Sequence, residues 1–418
     1  MTGRSAAPPA PTPPTGEPTL RALAASGFLP ALVFEIANGA VAPVIPLSAL
    51  ALHGSAGKAA FMLALLGLGR VAGDVPAAAL ADRIGERRSM LAAAGVSVAG
   101  FLACAMATTL IVLGLALLVL GACSAVFYLA RQTYLMEVAP VRLRARAMST
   151  LAGAHRIGLF IGPFLGAAAI GLAGLRGAYF VAMGASAATA LLLIGVPELP
   201  GMSHVSGGVR QIVSSRVTLS GNLRLFATLG LAVLAVGAVR AGRQTVLPLW
   251  AEHIHVDAQT TSIVFGIAGA ADMLLFYPAG KVMDEFGRLA IALPAMLIMG
   301  VSMMLLPLTS TVLTLTVVAV AMSVGNGIGS GIMMTLGADA APGPGRVPFL
   351  GLWRLVGDAG NAVGPVVVSA VAAVFSLAAG IASVGFVGVL AAAGLLRWTP
   401  RYTPYATRGP ARKVKRID

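Results

Sequence analysis

The sequence predicts an all-α membrane protein: twelve transmembrane helices arranged as two pseudo-symmetric six-helix bundles. Three observations carry that prediction. Of 418 residues, 58% are apolar and only 11% are charged, against about 25% charge in an ordinary soluble domain. A chain so poor in charge cannot cover a water-facing surface of its size, and at ~20 residues per ~30 Å of hydrocarbon it supplies about twelve spans. Basic residues also alternate between successive connections, and the second half repeats the first at a fixed offset. The composition alone excludes disordered, fibrous and soluble α/β classes.

Apolar runs lie near 27–50, 58–80, 89–107, 110–136, 149–172 and 174–196, then near 224–251, 259–282, 289–308, 311–336, 348–375 and 378–397. Continuous runs of this length are unlike the short alternating strands of a membrane barrel. Internal Gly and Pro are tolerable because neighbouring helices re-satisfy the freed backbone groups. Residues 1–20 are Pro-rich, lack an apolar core and read as a disordered cytoplasmic tail. A bundle over 21–196 is separated from a second over 223–397 by the longest polar connection, 197–222, and a basic cytoplasmic tail occupies 398–418. Cys104 and Cys123 fall inside apolar runs, so neither a disulfide framework nor a metal cluster is expected.

One set of connections carries Arg83, Arg87 and Arg88, then Arg142, Arg144 and Arg146, then Arg210, Arg216 and Arg224, then Arg288 and Arg346; the opposite set holds little beyond Lys58 and Arg176. Positive-inside bias therefore places both termini in the cytoplasm of a multi-pass cell-membrane protein, which requires an even number of spans. It also accounts for the net charge of +14 without a nucleic-acid partner.

Sliding the second half over the first by 202 residues superposes Pro46 on Pro248, Pro76 on Pro278, Asp82 on Asp284, Gly85 on Gly287, Glu137 on Asp339, Pro140 on Pro342 and Arg144 on Arg346. Gly158, Gly162 and Pro163 fall on Gly360, Gly364 and Pro365. Shared Gly and Pro alone explain scattered matches, but not Asp and Gly at equal spacing in two loops. One ungapped offset across several spans and loops implies duplicated bundles.

Residues 78–88 read AALADRIGERR, with Asp82, Arg83, Gly85, Arg87 and Arg88, and the second copy, AGKVMDEFGR, holds Gly280, Asp284, Gly287 and Arg288. This resembles the loop motif G-x-x-x-D-[RK]-x-G-[RK]-[RK] of the major facilitator superfamily, with Ala78 and Glu86 as departures. The resemblance covers about residues 25–397. It implies a cytoplasmic latch in which Gly85 permits the tight turn and Asp82 holds cations or helix ends. Glu137, or Asp339 in the second copy, would be the acceptor for Arg83 or Arg87; loop charges that only set topology are the plain alternative. Gly158, Gly162, Pro163 and Gly166 in span 5 are similar to the family's antiporter pattern, with Ala167 in place of the last Gly. That similarity implies a kinked, tightly packed helix sealing the bundle interface, against plain small-residue packing. Span 4 departs from the family, because Leu117 occupies the position where an Arg is usual.

Ten residues are candidates for charge inside the membrane: Glu35, Arg70, Asp74, Arg131, Arg156, Arg240, Arg243, Asp272, Arg354 and Asp358, with His155 beside Arg156. Each costs about 2.5–3.5 kcal/mol at mid-bilayer and normally faces a cavity or a partner. Under the offset Arg70 falls on Asp272 and Arg156 on Asp358. In the implied fold span 2 faces span 11 and span 5 faces span 8, so Arg70–Asp358 and Arg156–Asp272 are expected as pairs between bundles. Local i,i+4 pairing, Arg70–Asp74 and Arg354–Asp358, is the alternative. Glu35 has no basic residue within one turn of its own span, the setting in which a carboxyl can exchange a proton near neutral pH; it is the first candidate for the proton carrier and Asp74 the second. A structural bond from Glu35 to Asn38 or a neighbouring helix is the other reading. Arg131, Arg240 and Arg243, with Asn38 and Asn326, are expected in a central substrate cavity, unless the arginines snorkel. Their surplus over the acids permits an anionic or zwitterionic substrate. Glu252, His253, His255 and Asp257 form a polar loop, and H-x-H is a weak metal signal there.

The expected function is secondary active transport, proton-coupled export of a small organic molecule by alternating access. Alternatives are a symporter or exchanger of an organic anion or zwitterion, and a non-transporting receptor or scaffold. The sequence carries no nucleotide loop or hydrolase motif, so the expectation is a non-enzymatic monomer with no ATP and no cofactor, its partners being a small molecule, protons and the lipid bilayer.

Overall fold

The computed structural model describes residues 24–140, 143–195, 221–341 and 346–407. The expected tail over 1–20 lies outside the described residues, as do nearly all of 197–222 and the end of 398–418.

Twelve helices are long and apolar enough to cross a membrane, and each coincides with a predicted run. Span 1 is Leu29–Val41 followed by Val44–Ala51; spans 2 to 6 are Ala56–Ile84, Glu86–Ala105, Leu110–Val138, Arg144–Ala173 and Leu175–Gly195. Spans 7 to 9 are Leu231–His253, Ala258–Phe286 and Arg288–Leu305. Span 10 is Val312–Ile328 followed by Ile332–Ala340, and spans 11 and 12 are Arg346–Val374 and Leu377–Tyr402. Span 12 therefore runs five residues past the predicted limit of 397, and the turn after it returns to the span 8–9 connection, where Arg288 and Leu289 donate backbone hydrogen bonds to Tyr405 and Ala406.

The offset of 202 read from the sequence reappears in the backbone. Span 2 and span 8 start and stop at equivalent positions, and so do the π-helical turns Ala24–Phe28 and Phe226–Gly230. The turn glycines Gly85 and Gly287 take φ of 85° and 93°, a region that only glycine occupies without steric cost. Helix starts are capped at matching sites, by Ser55 and Asp257 and by Thr109 and Thr311, whose side-chain oxygens accept a backbone N–H of the first turn.

Within the first half span 1 packs on span 5, span 2 on span 4 and span 3 on span 6; the second half repeats this with 7 on 11, 8 on 10 and 9 on 12. The halves meet where span 2 packs on span 11 and span 5 on span 8, as the resemblance implied. Each half has one interrupted span, at different places. Span 1 breaks at Ala42–Pro43, and span 10 at Gly329–Gly331, where Gly331 has φ of 82°. Their counterparts, spans 7 and 4, continue unbroken through the equivalent positions.

Candidate functional site

A cavity of about 340 Å³ lies between the halves, with walls from spans 2, 5, 7, 8, 10 and 11. Its volume is at the small end of ligand pockets. Arg70, Arg156, Arg240 and Arg243 line it together with Asp272 and Asp358. A larger apolar groove of about 650 Å³, between spans 2, 4 and 11, is walled by side chains such as Phe61, Ile111 and Leu115 that are exposed on the helix surfaces. It carries one charged residue, Lys58, and none of the intramembrane charge.

The second half supplies most of the polar wall of the charged cavity. Asp272 of span 8 is its hub. Arg156 of span 5 approaches Asp272 Oδ1 at 3.2 Å across the bundle interface, and Asn326 Nδ2 donates to the same oxygen at 3.0 Å. Arg240 Nε in turn donates to Asn326 Oδ1 at 2.8 Å, and Arg243 donates to Ser323 Oγ at 2.6 Å. Arg156 also reaches Ser330, which sits in the break of span 10, and lies 4.2 Å from the Phe276 ring centroid. The unwound turn at Gly329–Gly331 thus brings a side chain of span 10 to the interface, the arrangement in which broken helices build ligand sites at mid-membrane. Of the two expected cross-bundle pairs, Arg156–Asp272 is present.

Arg70–Asp358 is not formed. Asp358 pairs one turn away with Arg354 at 3.6 Å and accepts a 3.5 Å hydrogen bond from Asn361. Arg70 forms no ion pair among the described residues; its guanidinium lies 5.9 Å from the Tyr128 ring centroid, and its Nε is buried without a hydrogen bond. The local i,i+4 pairing therefore wins in span 11 and the long-range pairing wins in span 8. Asp74 lies half-buried within electrostatic range of Asp358, Arg354 and Arg70.

The first half supplies a second, smaller chamber of about 150 Å³, lined by Glu35, Asn38, Tyr128 and Tyr179 and sharing Arg70, His155, Leu159 and Gln244 with the larger one. Glu35 is 1% exposed. Its expected isolation does not hold: His155 Nδ1 of span 5 lies 3.0 Å from Glu35 Oε1. The reason is tertiary, since the basic partner comes from a helix 120 residues away rather than from the same turn of span 1. The His155 side chain is 43% exposed, so the pair joins a buried carboxylate to an imidazole facing the cavity. Asn38 does not bond Glu35; it donates to the Tyr128 hydroxyl at 3.2 Å.

Arg131 was expected in the cavity and is instead 1% exposed inside the first bundle, packed over the Phe127 ring at 5.7 Å. Phe127, Arg131 and Leu135 share one stripe of span 4, and that stripe faces the interior of the half. Its three guanidinium nitrogens have no hydrogen bond, and Glu35 is the acid within electrostatic reach.

The span 5 glycines also act differently from expectation. A Cβ at Gly158 would lie 2.5 Å from Glu35 Cβ, one at Gly162 2.7 Å from Gly39 and one at Gly166 2.9 Å from Ala40 O. Gly158, Gly162 and Gly166 thus seat span 5 on span 1 inside one bundle. The bundle interface is met by the other face of span 5, where Phe160 and Phe164 reach Gly269 and Gly266 of span 8. The helix remains continuous through Pro163.

At the predicted gate the copies differ. Asp82 and Arg83 are exposed, and Arg87 donates to the Leu193 carbonyl at 2.6 and 2.9 Å, capping the end of span 6. Glu137 occupies the last turn of span 4. In the second copy Arg288 binds Asp339 at 2.9 Å and Asp284 at 3.4 Å, and Thr403 donates to Asp339 at 2.9 Å. Gly287 holds the turn between Asp284 and Arg288. Among the described residues no group of His, Cys, Asp and Glu is placed to hold a metal ion; Asp257 in the H-x-H loop instead caps span 8.

Sequence reasoning missed His155 as the partner of Glu35, along with Tyr128, Ser323 and Ser330. A signal for His155 was present. It lies three residues before Gly158, on the stripe continued by Gly162 and Gly166 that seats span 5 on span 1.

The family model described as the Major Facilitator Superfamily matches residues 27–342 and 229–416. A multidrug resistance protein MdtG of Rahnella sp. (strain Y9602) is 28% identical over 158 residues, 37% of this chain and 38% of that protein. The MdtG of Klebsiella pneumoniae (strain 342) is 26% identical over 166 residues, 39% of this chain and 40% of that protein. The match thus spans about two-fifths of the length of these relatives. Among solved structures, a POT family transporter in complex with a thioalcohol-conjugated peptide superposes with a TM-score of 0.76 at 12% identity, covering 92% of this chain and 97% of that one. A D-xylose–proton symporter superposes at 0.68 with 16% identity, covering 92% and 98%. At such identities these likenesses establish the fold.

Proposed function

The chain belongs to the Major Facilitator Superfamily and is a multi-pass membrane transporter rather than an enzyme, and from that premise we propose that it exports a small organic molecule in exchange for protons by alternating access. The substrate site of this reading is the charged cavity between the halves, where both bundles contribute side chains. Multidrug resistance in the MdtG relatives supports export as the direction. The working unit is a monomer in the cell membrane, driven by protons and not by ATP, with both termini in the cytoplasm as the loop arginines require.

The observation that carries the coupling is the Glu35–His155 contact: a fully buried carboxylate 3.0 Å from an imidazole that faces the cavity. Glu35 holds the proton in the interior and His155 exchanges it with the cavity. When His155 Nδ1–H donates to an ionised Glu35, spans 1 and 5 share a charge-assisted hydrogen bond. Moving the proton from a charged His155 onto Glu35 neutralises both groups and replaces the charge-assisted bond with a weaker neutral one, which gives the protonation state a mechanical consequence in the first bundle. Asp74, at the span 2–span 11 contact, is the second titratable group in this scheme. A proton entering down 100 mV releases ~2.3 kcal/mol, enough to drive about a fiftyfold substrate gradient.

The test is proton flux in proteoliposomes across a compound panel, comparing the unaltered chain with Glu35→Gln and His155→Gln. Both substitutions should uncouple proton movement from export, with Glu35→Gln the more severe. Unchanged coupling in Glu35→Gln removes this residue from the mechanism and with it the proposed carrier.

A further inference from the structure

Four guanidinium groups line the central cavity against two carboxylates, and Asp358 is already taken up by Arg354. Asp272 is therefore the single lining carboxylate left to balance Arg70, Arg156, Arg240 and Arg243. Like charges repel more strongly in a low-dielectric interior than in water, so the cavity wall is short of negative charge. Its arginines are also under-bonded. Arg243 spends one nitrogen on Ser323 while its buried Nε has no partner, and Arg240 Nη1 reaches only the Met333 sulfur, at 3.9 Å. A buried donor left without an acceptor is costly, and a guanidinium fork is built to donate two parallel hydrogen bonds to an oxyanion. Arg240 and Arg243 lie three residues apart on span 7 and both line the cavity, so one anionic group can engage both.

Asp272 shows how such a group is held. Its Oδ1 takes one hydrogen bond from Asn326 and the ion pair from Arg156, which makes it an internal stand-in for an anionic ligand. We propose, resting on the carrier reading above, that the cavity takes a small organic anion whose carboxylate or phosphonate sits between Arg240 and Arg243 and competes with Asp272 for Arg156. Arg156–Asp272 joins span 5 to span 8 across the two bundles. Binding of the anion then loosens the tie that holds the bundles together, so the substrate itself unlocks the rocking step.

The experiment is equilibrium binding by calorimetry to the purified full chain in detergent, with no gradient, using four probes of one scaffold: phenylacetate, benzylphosphonate, phenylacetamide and benzyltrimethylammonium. The two anions should bind at least about tenfold more tightly than the amide or the cation. Arg243→Gln should weaken the anions about ten- to a hundredfold and leave the amide unchanged. Arg243→Lys, which keeps the charge but loses the fork, should fall between the unaltered chain and Arg243→Gln and, with a monodisperse size-exclusion profile for each variant, separates lost binding from lost folding. Asp272→Asn should tighten anion binding severalfold, the opposite sign to a structural role. Amide or cation binding equal to that of the anions, no anion binding at millimolar concentration, or weaker anion binding in Asp272→Asn each overturns the proposal. Because no proton gradient is involved, these outcomes stand whichever way the Glu35→Gln flux test falls.

Discussion

The two halves share a backbone and differ in charge at equivalent positions. Where the first half places Glu35 and His155, the second has Gly237 and Gly357, and a Cβ at Gly237 would lie 2.6 Å from Gly357 O. Where the second half places Arg240 and Asn326, the first has Asn38 and Ser124. Glycines bring span 5 onto span 1 and span 11 onto span 7 alike, but the first contact also holds a buried acid beside an imidazole where the second has only glycine backbone. The titratable pair thus belongs to one bundle and the guanidinium cradle to the other, and the Arg156–Asp272 contact ties them together. Duplication gave the scaffold twice, and divergence at a few inward positions put the acid–imidazole contact in one half and the arginine pair in the other.

Glu35→Gln should break that division most visibly. Proton flux should fall about a hundredfold or more, the scale of a lost proton-transfer group, while equilibrium binding at the span 7 arginines stays within a few-fold. Loss of both together would mean that the halves are not functionally separate.

The gates sharpen the comparison next. Asp339→Asn takes from Arg288, 13% exposed, its 2.9 Å partner and leaves it Asp284 at 3.4 Å, and should cost about 1–2 kcal/mol, as for a lost hydrogen bond to a charged group. Asp82→Asn, at an exposed site, should change stability by less than about 0.5 kcal/mol. Thermal unfolding in detergent compares the two directly, and equal effects would mean that the Arg288–Asp339 contact adds nothing to stability.

Gly158→Ala forces a Cβ to within 2.5 Å of Glu35 Cβ and should cost about 1–3 kcal/mol by overpacking, with weakened proton coupling. Gly153→Ala on the same helix meets nothing within 4 Å and should be neutral or stabilising by up to about 1 kcal/mol. If both variants keep full coupling, the span 1–span 5 seat does not position Glu35.

The smallest difference lies in the caps of spans 2 and 8. Asp257 is held below its ordinary value of 3.8, chiefly by the Thr260 hydroxyl and then by the Thr260 backbone N–H, whereas Ser55 at the equivalent site does not titrate. A depressed carboxyl contributes stability above its unfolded value, and the contribution is lost as pH falls through the folded one. Acidification below about pH 4 should therefore weaken the cap of span 8 and spare that of span 2. Asp257→Ser, scored by the thermal midpoint at low pH, should remove that sensitivity, with an effect no larger than about 1 kcal/mol.

Much of this was legible in the chain. The loop motif, the 202-residue repeat and the run lengths depend on local physics: a span must be apolar along its length, and a tight turn needs glycine at Gly85 and Gly287. Pairing was less legible. Arg70 had two plausible acids and took neither as an ion pair, and Asp358 chose the nearer arginine. The pairing of His155 with Glu35 was not read because its sign lay on the other helix, in the small-residue stripe of span 5, and not beside the acid.

The sequence by itself determined the number of spans, their duplication and the presence of charge inside the membrane, because hydrophobic length and loop charge are properties of single segments. Tertiary structure decided that Glu35 meets His155, that Arg131 turns into its own bundle and that Arg156 crosses to Asp272. Those outcomes depend on the facing and separation of packed helices, and at a few ångströms a charge responds to whichever partner the packing brings within reach.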